Sequence, residues 1–127
     1  MDFLFENDRP IYVQLVETLR TAIVSGEFAP GARLPSVREL AIMAQVNPNT
    51  MQRALQQVED EGLIYTERTN GKFVTAAPAK IADKKRGLAL EKAKAFLAEM
   101  EGMGLSRADA IQLLTDLGGE NNGTACM

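Results

Sequence analysis

The chain has 127 residues, 46% hydrophobic and 24% charged, with 14 basic and 17 acidic side chains for a net charge of −3. This composition suits one compact domain, or a small domain with an appendage, and it contains no apolar run of the roughly 20 residues that cross a bilayer. The absence of histidine and the single cysteine, Cys126, exclude an internal disulfide framework, a His/Cys zinc site and His-based acid–base or triad catalysis. The opening residues Met1 to Glu6 have neither a basic region nor a long apolar stretch, so no signal peptide is read there and a cytoplasmic protein is expected. No metal site, no cofactor and no enzyme activity are expected.

The first predicted helix follows Asp8-Arg9-Pro10, with Pro10 suited to the first helical position. Its apolar residues Tyr12, Leu15, Val16, Leu19, Ala22 and Ile23 fall on one helical face, and Gly26 ends it. Pro30-Gly31 makes a turn, and Ala32-Arg33-Leu34 has room only for a short strand. The second helix starts at Pro35-Ser36, where Ser36 and Glu39 have capping-box spacing, and it buries Val37, Leu40, Ala41 and Ala44. It ends near Gln45. Asn47 is then a good N-cap and Pro48 a good first residue for a third helix, which buries Met51, Ala54, Leu55 and Val58 and stops at Gly62. Two helices joined by so short a turn, the second opening on Asn, Asn, Thr, Gln and Arg, form a helix-turn-helix pattern.

Leu63 to Glu67 and Lys72 to Thr75 are strand-like, and Asn70-Gly71 between them is a strong hairpin-turn signal. A helix-turn-helix followed by a hairpin is a winged helix, with Arg68, Thr69, Asn70 and Lys72 near the wing tip. Ala76 to Ala79 resembles a linker. Beyond it, Leu90, Ala93, Phe96, Leu97 and Met100 line one helix, and Ile111, Leu114 and Leu117 line another, capped at Ser106 to Asp109. The fold class expected is mainly α with a small β wing. A winged helix over residues 1–76 is joined by a linker at 77–79 to an antiparallel helix pair over 80–118. A disordered tail over 119–127 is expected after Gly118-Gly119.

The negative net charge averages over segments of opposite sign. Residues 33–53 carry Arg33, Arg38 and Arg53 against Glu39 alone, and residues 79–94 sum to +4. A recognition helix needs short polar groups in its first turn for phosphate and longer side chains one turn on for base edges. Asn47, Asn49 and Thr50 suit the first task, and Gln52 and Arg53 the second, while Ser36 and Arg38 stand at the start of the preceding helix. Arg68, Asn70, Gly71 and Lys72 would set the wing on an adjacent groove. Each has a plainer role: Asn47 is accounted for as a cap, and Arg38 and Arg53 as solvated arginines. An isolated helix pair cannot cover both of its apolar faces, so the second part is expected to pair with its counterpart in a homodimer.

These motifs, in order, also resemble the GntR family of bacterial transcription factors. They are Pro10 to Leu15, Gly26 to Gly31, Leu34 to Ala41, Val46 to Thr50, Ala54-Leu55, Glu61 to Ile64 and Gly71 to Val74. The resemblance implies a DNA-binding winged helix, a homodimer and an inverted-repeat operator. The short stretch after the wing resembles the YtrA-type subfamily, whose C-terminal part is a two-helix dimerisation module and whose members often repress operons with ABC transporter genes. By this resemblance Arg38 is a DNA-contacting arginine, Asn47, Asn49, Thr50, Gln52 and Arg53 are recognition-helix positions, and Gly71 is the wing glycine. Thr69 and Lys72 depart from the wing pattern, standing where glycine and threonine are usual. The partner expected is double-stranded DNA, with a repressor the leading reading and a winged helix used purely as a protein-interaction module the alternative. No ligand pocket is legible, so a small-molecule effector is left open.

Overall fold

A computed structural model describes residues 1–125, with the side chains of 1–118. The elements are α1 (Ile11–Val24), α2 (Val37–Ala44), α3 (Pro48–Asp60), β1 (Ile64–Glu67), β2 (Gly71–Val74), α4 (Pro78–Gly102) and α5 (Arg107–Ala125). They divide between two compact units, one from Met1 to Lys85 and one from Arg86 onward.

In the first unit the helical periodicities converge on one core. Leu15 and Leu19 of α1, Leu40 of α2, and Met51, Leu55 and Val58 of α3 are fully buried, with Leu63 and Val74 closing the core from the hairpin. Burying each such side chain is worth about 1.5–3 kcal/mol, so this shared apolar face holds the helices together. Ser36 and Glu39 complete the capping box of α2, and Asn47 caps α3 with Pro48 in its first turn. Only Gln45, Val46 and Asn47 separate the two helices, and Gln45 makes the turn in the left-handed region at φ 57°.

The hairpin is antiparallel, with Ile64 opposite Val74 and Glu67 opposite Gly71. Its loop is Arg68-Thr69-Asn70, so the turn lies one residue earlier than the Asn70-Gly71 pair suggests. Gly71 opens β2 at φ +98°, a conformation that side chains with a Cβ rarely adopt. The short strand expected at Ala32 to Leu34 is a single bridge, Arg33 to Phe73, on the free edge of β2. There the Leu34 N–H donates to the Lys72 carbonyl at 2.8 Å and the Val74 N–H to the Ala32 carbonyl at 2.9 Å.

Three expectations need correction. Pro10 precedes α1 rather than opening it, and no side chain caps the helix. Buried Gln14 secures the entering segment instead, donating to the carbonyls of Arg9 (2.8 Å) and Glu6 (2.9 Å) and accepting from the Glu6 N–H (2.7 Å). The linker at 77–79 is not separate, because α4 begins at Pro78. Proline is preorganised for a first helical turn, and the Thr75 hydroxyl accepts from the Ala77 N–H just ahead of it. The first turns of α4 therefore belong to the winged helix: Ile81 packs against its core and Lys84 pairs with Glu61. Gly118 and Gly119 do not end α5, which extends to Ala125. A glycine inside a helix costs about 1 kcal/mol and does not forbid it, and no proline follows. Cys126 and Met127, the last of the expected disordered tail, lie outside the described residues.

In the second unit Ser106 and Asp109 cap α5 reciprocally, at 2.8 and 3.1 Å. Among its described side chains only Ala110 is buried, and Phe96, Leu97 and Met100 are half-covered. Leu90, Ile111, Leu113, Leu114 and Leu117 are 46–56% exposed. Within one chain, then, the two helices do not bury the apolar faces expected of a closed pair.

Candidate nucleic-acid interface

The site is built on α3. Its inner face, Met51, Ala54, Leu55 and Val58, is fully buried, which fixes the opposite face outward. That outer face carries Asn49, Gln52, Arg53 and Gln56, all exposed. Gln56 was missed in the sequence, although it stands one turn after Gln52 and two after Asn49. Its amide donates to Asp60 at 2.9 Å.

The other candidates sort by what already holds them. The Asn47 side chain accepts from the Asn49 N–H at 2.7 Å and the Ser36 hydroxyl from the Glu39 N–H at 3.1 Å, so both are engaged as caps. Thr50 is half-buried. Arg53 lies over the Tyr12 ring, its guanidinium carbon 4.9 Å from the centroid, which ties α3 to α1. Lys72 reaches Glu59 of α3 at 3.3 Å and the Thr66 hydroxyl at 2.8 Å, and that hydroxyl donates to Glu59 at 2.7 Å. The wing lysine is half-buried, and its charge is paired with Glu59. Asn70 donates to Glu67 at 3.0 Å. Arg38 and Arg68 are exposed and, among the described residues, have no carboxylate within salt-bridge distance.

An open groove of about 840 Å³ runs between the wing, α3 and the start of α2. It brings together the expected contact residues Ser36, Gln52, Arg68, Gly71 and Lys72, and adds Arg33, which sequence reasoning did not place in the site. Arg38, Asn47, Asn49, Thr50, Arg53 and Asn70 do not line it.

At the end of α3, Glu61 joins three elements. It accepts from Arg20 of α1, from Gln57 at 2.9 Å and from Lys84 of α4 at 3.1 Å. Burial alone would raise its pKa, but the hydrogen bonds from Arg20, Gln57 and Lys84 prevail and hold it at about 2. The expected dimerisation residues lie in the second unit. Ile111, Leu114 and Leu117 on α5 and Leu90 and Ala93 on α4 are exposed, with Phe96, Leu97 and Met100 half-covered.

A family model described as bacterial regulatory proteins, gntR family, matches residues 11–74. The uncharacterized HTH-type transcriptional regulator YhcF of Bacillus subtilis is 38% identical over 113 residues, 88% of this chain and 93% of that protein. The HTH-type transcriptional repressor YtrA of the same organism is 41% identical over 66 residues, 52% of this chain and 51% of that protein. Among solved structures, a GntR family transcriptional regulator from Listeria monocytogenes superimposes with a TM-score of 0.83 at 36% identity. It covers 88% of this chain and 98% of that one.

Proposed function

The chain belongs to the gntR family of bacterial regulatory proteins, DNA-binding transcriptional regulators and not enzymes, and from that premise we propose that it is a repressor that binds an inverted-repeat operator as a homodimer. One observation carries the reading. The outward face of α3, with Asn49, Gln52 and Gln56, stands opposite a fully buried face, and Arg68 lines the groove beside Gln52. Arg68 and the exposed Arg38 have no carboxylate within salt-bridge distance among the described residues. Polar side chains of that length meet base edges in a major groove, while the arginines meet phosphates. The similarity to YtrA, an HTH-type transcriptional repressor, supports repression. The exposed leucines of α4 and α5 support a dimer, whose two-fold symmetry an inverted repeat would mirror. Control of a transporter operon rests on the YtrA-type resemblance alone. No described helix is long and apolar enough to cross a membrane, and a DNA partner fits the expected cytoplasmic location.

The test is a fluorescence titration of the full chain against short random duplexes over a range of salt, followed by selection of bound duplexes from a random pool. The logarithm of affinity should fall linearly with the logarithm of salt concentration, and the selected sites should be inverted repeats. No binding at low salt would overturn the reading in favour of a winged helix that recognises protein. Selected sites without two-fold symmetry would overturn the dimeric operator.

A further inference from the structure

We propose that Arg33 is a phosphate-contacting residue that docks the wing on the DNA strand running between two grooves. The inference rests on the DNA-binding reading above and deepens it. When α3 occupies a major groove and the wing reaches the neighbouring minor groove, the phosphodiester strand separating the two must pass between them. In this protein that space is the groove lined by Arg33, Gln52, Arg68, Gly71 and Lys72.

Three observations select Arg33 within it. Its backbone is pinned to the base of the wing, because Ala32 and Leu34 on either side hydrogen-bond to Val74 and Lys72. Leu34 is buried in the core, so alternation along this extended segment turns Arg33 outward. Its guanidinium lies against Gly71: a Cβ built there would stand 3.3 Å from the Arg33 Nε and 3.5 Å from its Nη2. A side chain at Gly71 would press on the guanidinium, which would have to give by a few tenths of an ångström.

Charge bookkeeping then separates Arg33 from its neighbour. Lys72 is committed to Glu59 and Thr66, whereas Arg33 has no carboxylate within salt-bridge distance among the described residues. The groove's own acids, Glu39 and Glu67, keep their charge but are held by neutral donors, the Ser36 N–H and the Asn70 amide, and neither is within salt-bridge distance of Arg33. An exposed guanidinium with five donors and no acid partner fits a phosphodiester oxygen pair.

The test compares the wild-type chain with Arg33→Gln and Arg33→Lys on random and selected duplexes over a salt series, with thermal unfolding as a control for the fold. Loss of one phosphate contact should lower the logarithmic salt slope by about one and weaken both kinds of duplex by the same factor. Arg33→Lys should keep the slope. A wild-type slope retained in Arg33→Gln would overturn the proposal, as would a loss confined to selected duplexes. Should Arg33→Gln unfold, a reduced slope in the folded Arg33→Lys variant would also overturn it. If the wild-type chain itself bound no duplex, the DNA-binding reading would fall and the Arg33 proposal with it.

Discussion

At the scale of single residues, the structure divides a recognition helix into side chains that are held and side chains that are free. Gln52 and Arg53 are adjacent and equally plausible as base readers in the sequence, yet only Gln52 lines the groove beside the wing, while Arg53 lies over Tyr12. The two substitutions should therefore separate. Gln52→Ala removes an exposed side chain and should leave stability within about 0.5 kcal/mol. It should cost roughly 1–3 kcal/mol of discrimination between selected and random duplexes. Arg53→Ala should lower stability by about 0.5–1 kcal/mol through the lost cation–π contact. Urea denaturation of Arg53→Ala, Tyr12→Leu and the double variant measures that coupling, and duplex competition measures the discrimination. A coupling near zero would release Arg53 from its structural role.

At the scale of elements, Glu61 fastens α1, α3 and the first turns of α4 together. Its carboxyl, held at about 2 against an ordinary value of 4.5, is a depressed acid. Its stabilisation is thus complete above about pH 5 and disappears as the pH falls through 4.5 toward 2. Glu61→Gln keeps the shape but loses the charge, and with the side chain only 10% exposed it should cost about 2 kcal/mol at neutral pH. Denaturation of both proteins at descending pH should show the two stabilities converging between pH 4.5 and 2, and a constant gap would exclude the carboxylate as the cause. This junction also marks where the sequence stopped being legible. The stripes Leu15–Leu19 and Met51–Leu55 and the caps Ser36 and Asn47 are local patterns, and such patterns survive into the fold. Arg20 and Glu61 lie 41 positions apart, and no periodicity joins them. Pro78 has two local meanings, linker or helix start, and only the packing of Ile81 and Lys84 against the first unit decides between them. Arg33 was visible as a positive charge, but its pairing with the β2 edge arises only once the hairpin has formed.

At the scale of the whole molecule, the net charge of −3 is a poor guide to partners because it says nothing of where the charges sit. Within the first unit Glu17, Glu59 and Glu61 are occupied by Arg9, Lys72 and the pair Arg20 and Lys84, whereas Arg33, Arg38 and Arg68 have no such partners among the described residues. Pairing does not change the total, so what favours an anion is where the cations sit: Arg33 and Arg68 both line the groove beside α3. The second unit poses the opposite question, since several of its large apolar side chains are uncovered. Leu114 and Leu117 are 54% and 56% exposed on α5. Burial of each against a second copy would contribute up to about 1.5–3 kcal/mol, so placing a charge there should oppose association strongly. Leu114→Glu and Leu117→Glu are expected to convert a dimer to a monomer in sedimentation equilibrium. The winged helix should still unfold cooperatively, because its core lies wholly in the first unit. A monomer presents one α3 and one wing, so its salt slope on a selected duplex should fall to about half the dimer's. A wild-type chain that sediments as a monomer at micromolar concentration would rule out this dimer. A Leu114→Glu variant that stays dimeric would place the interface on a different face.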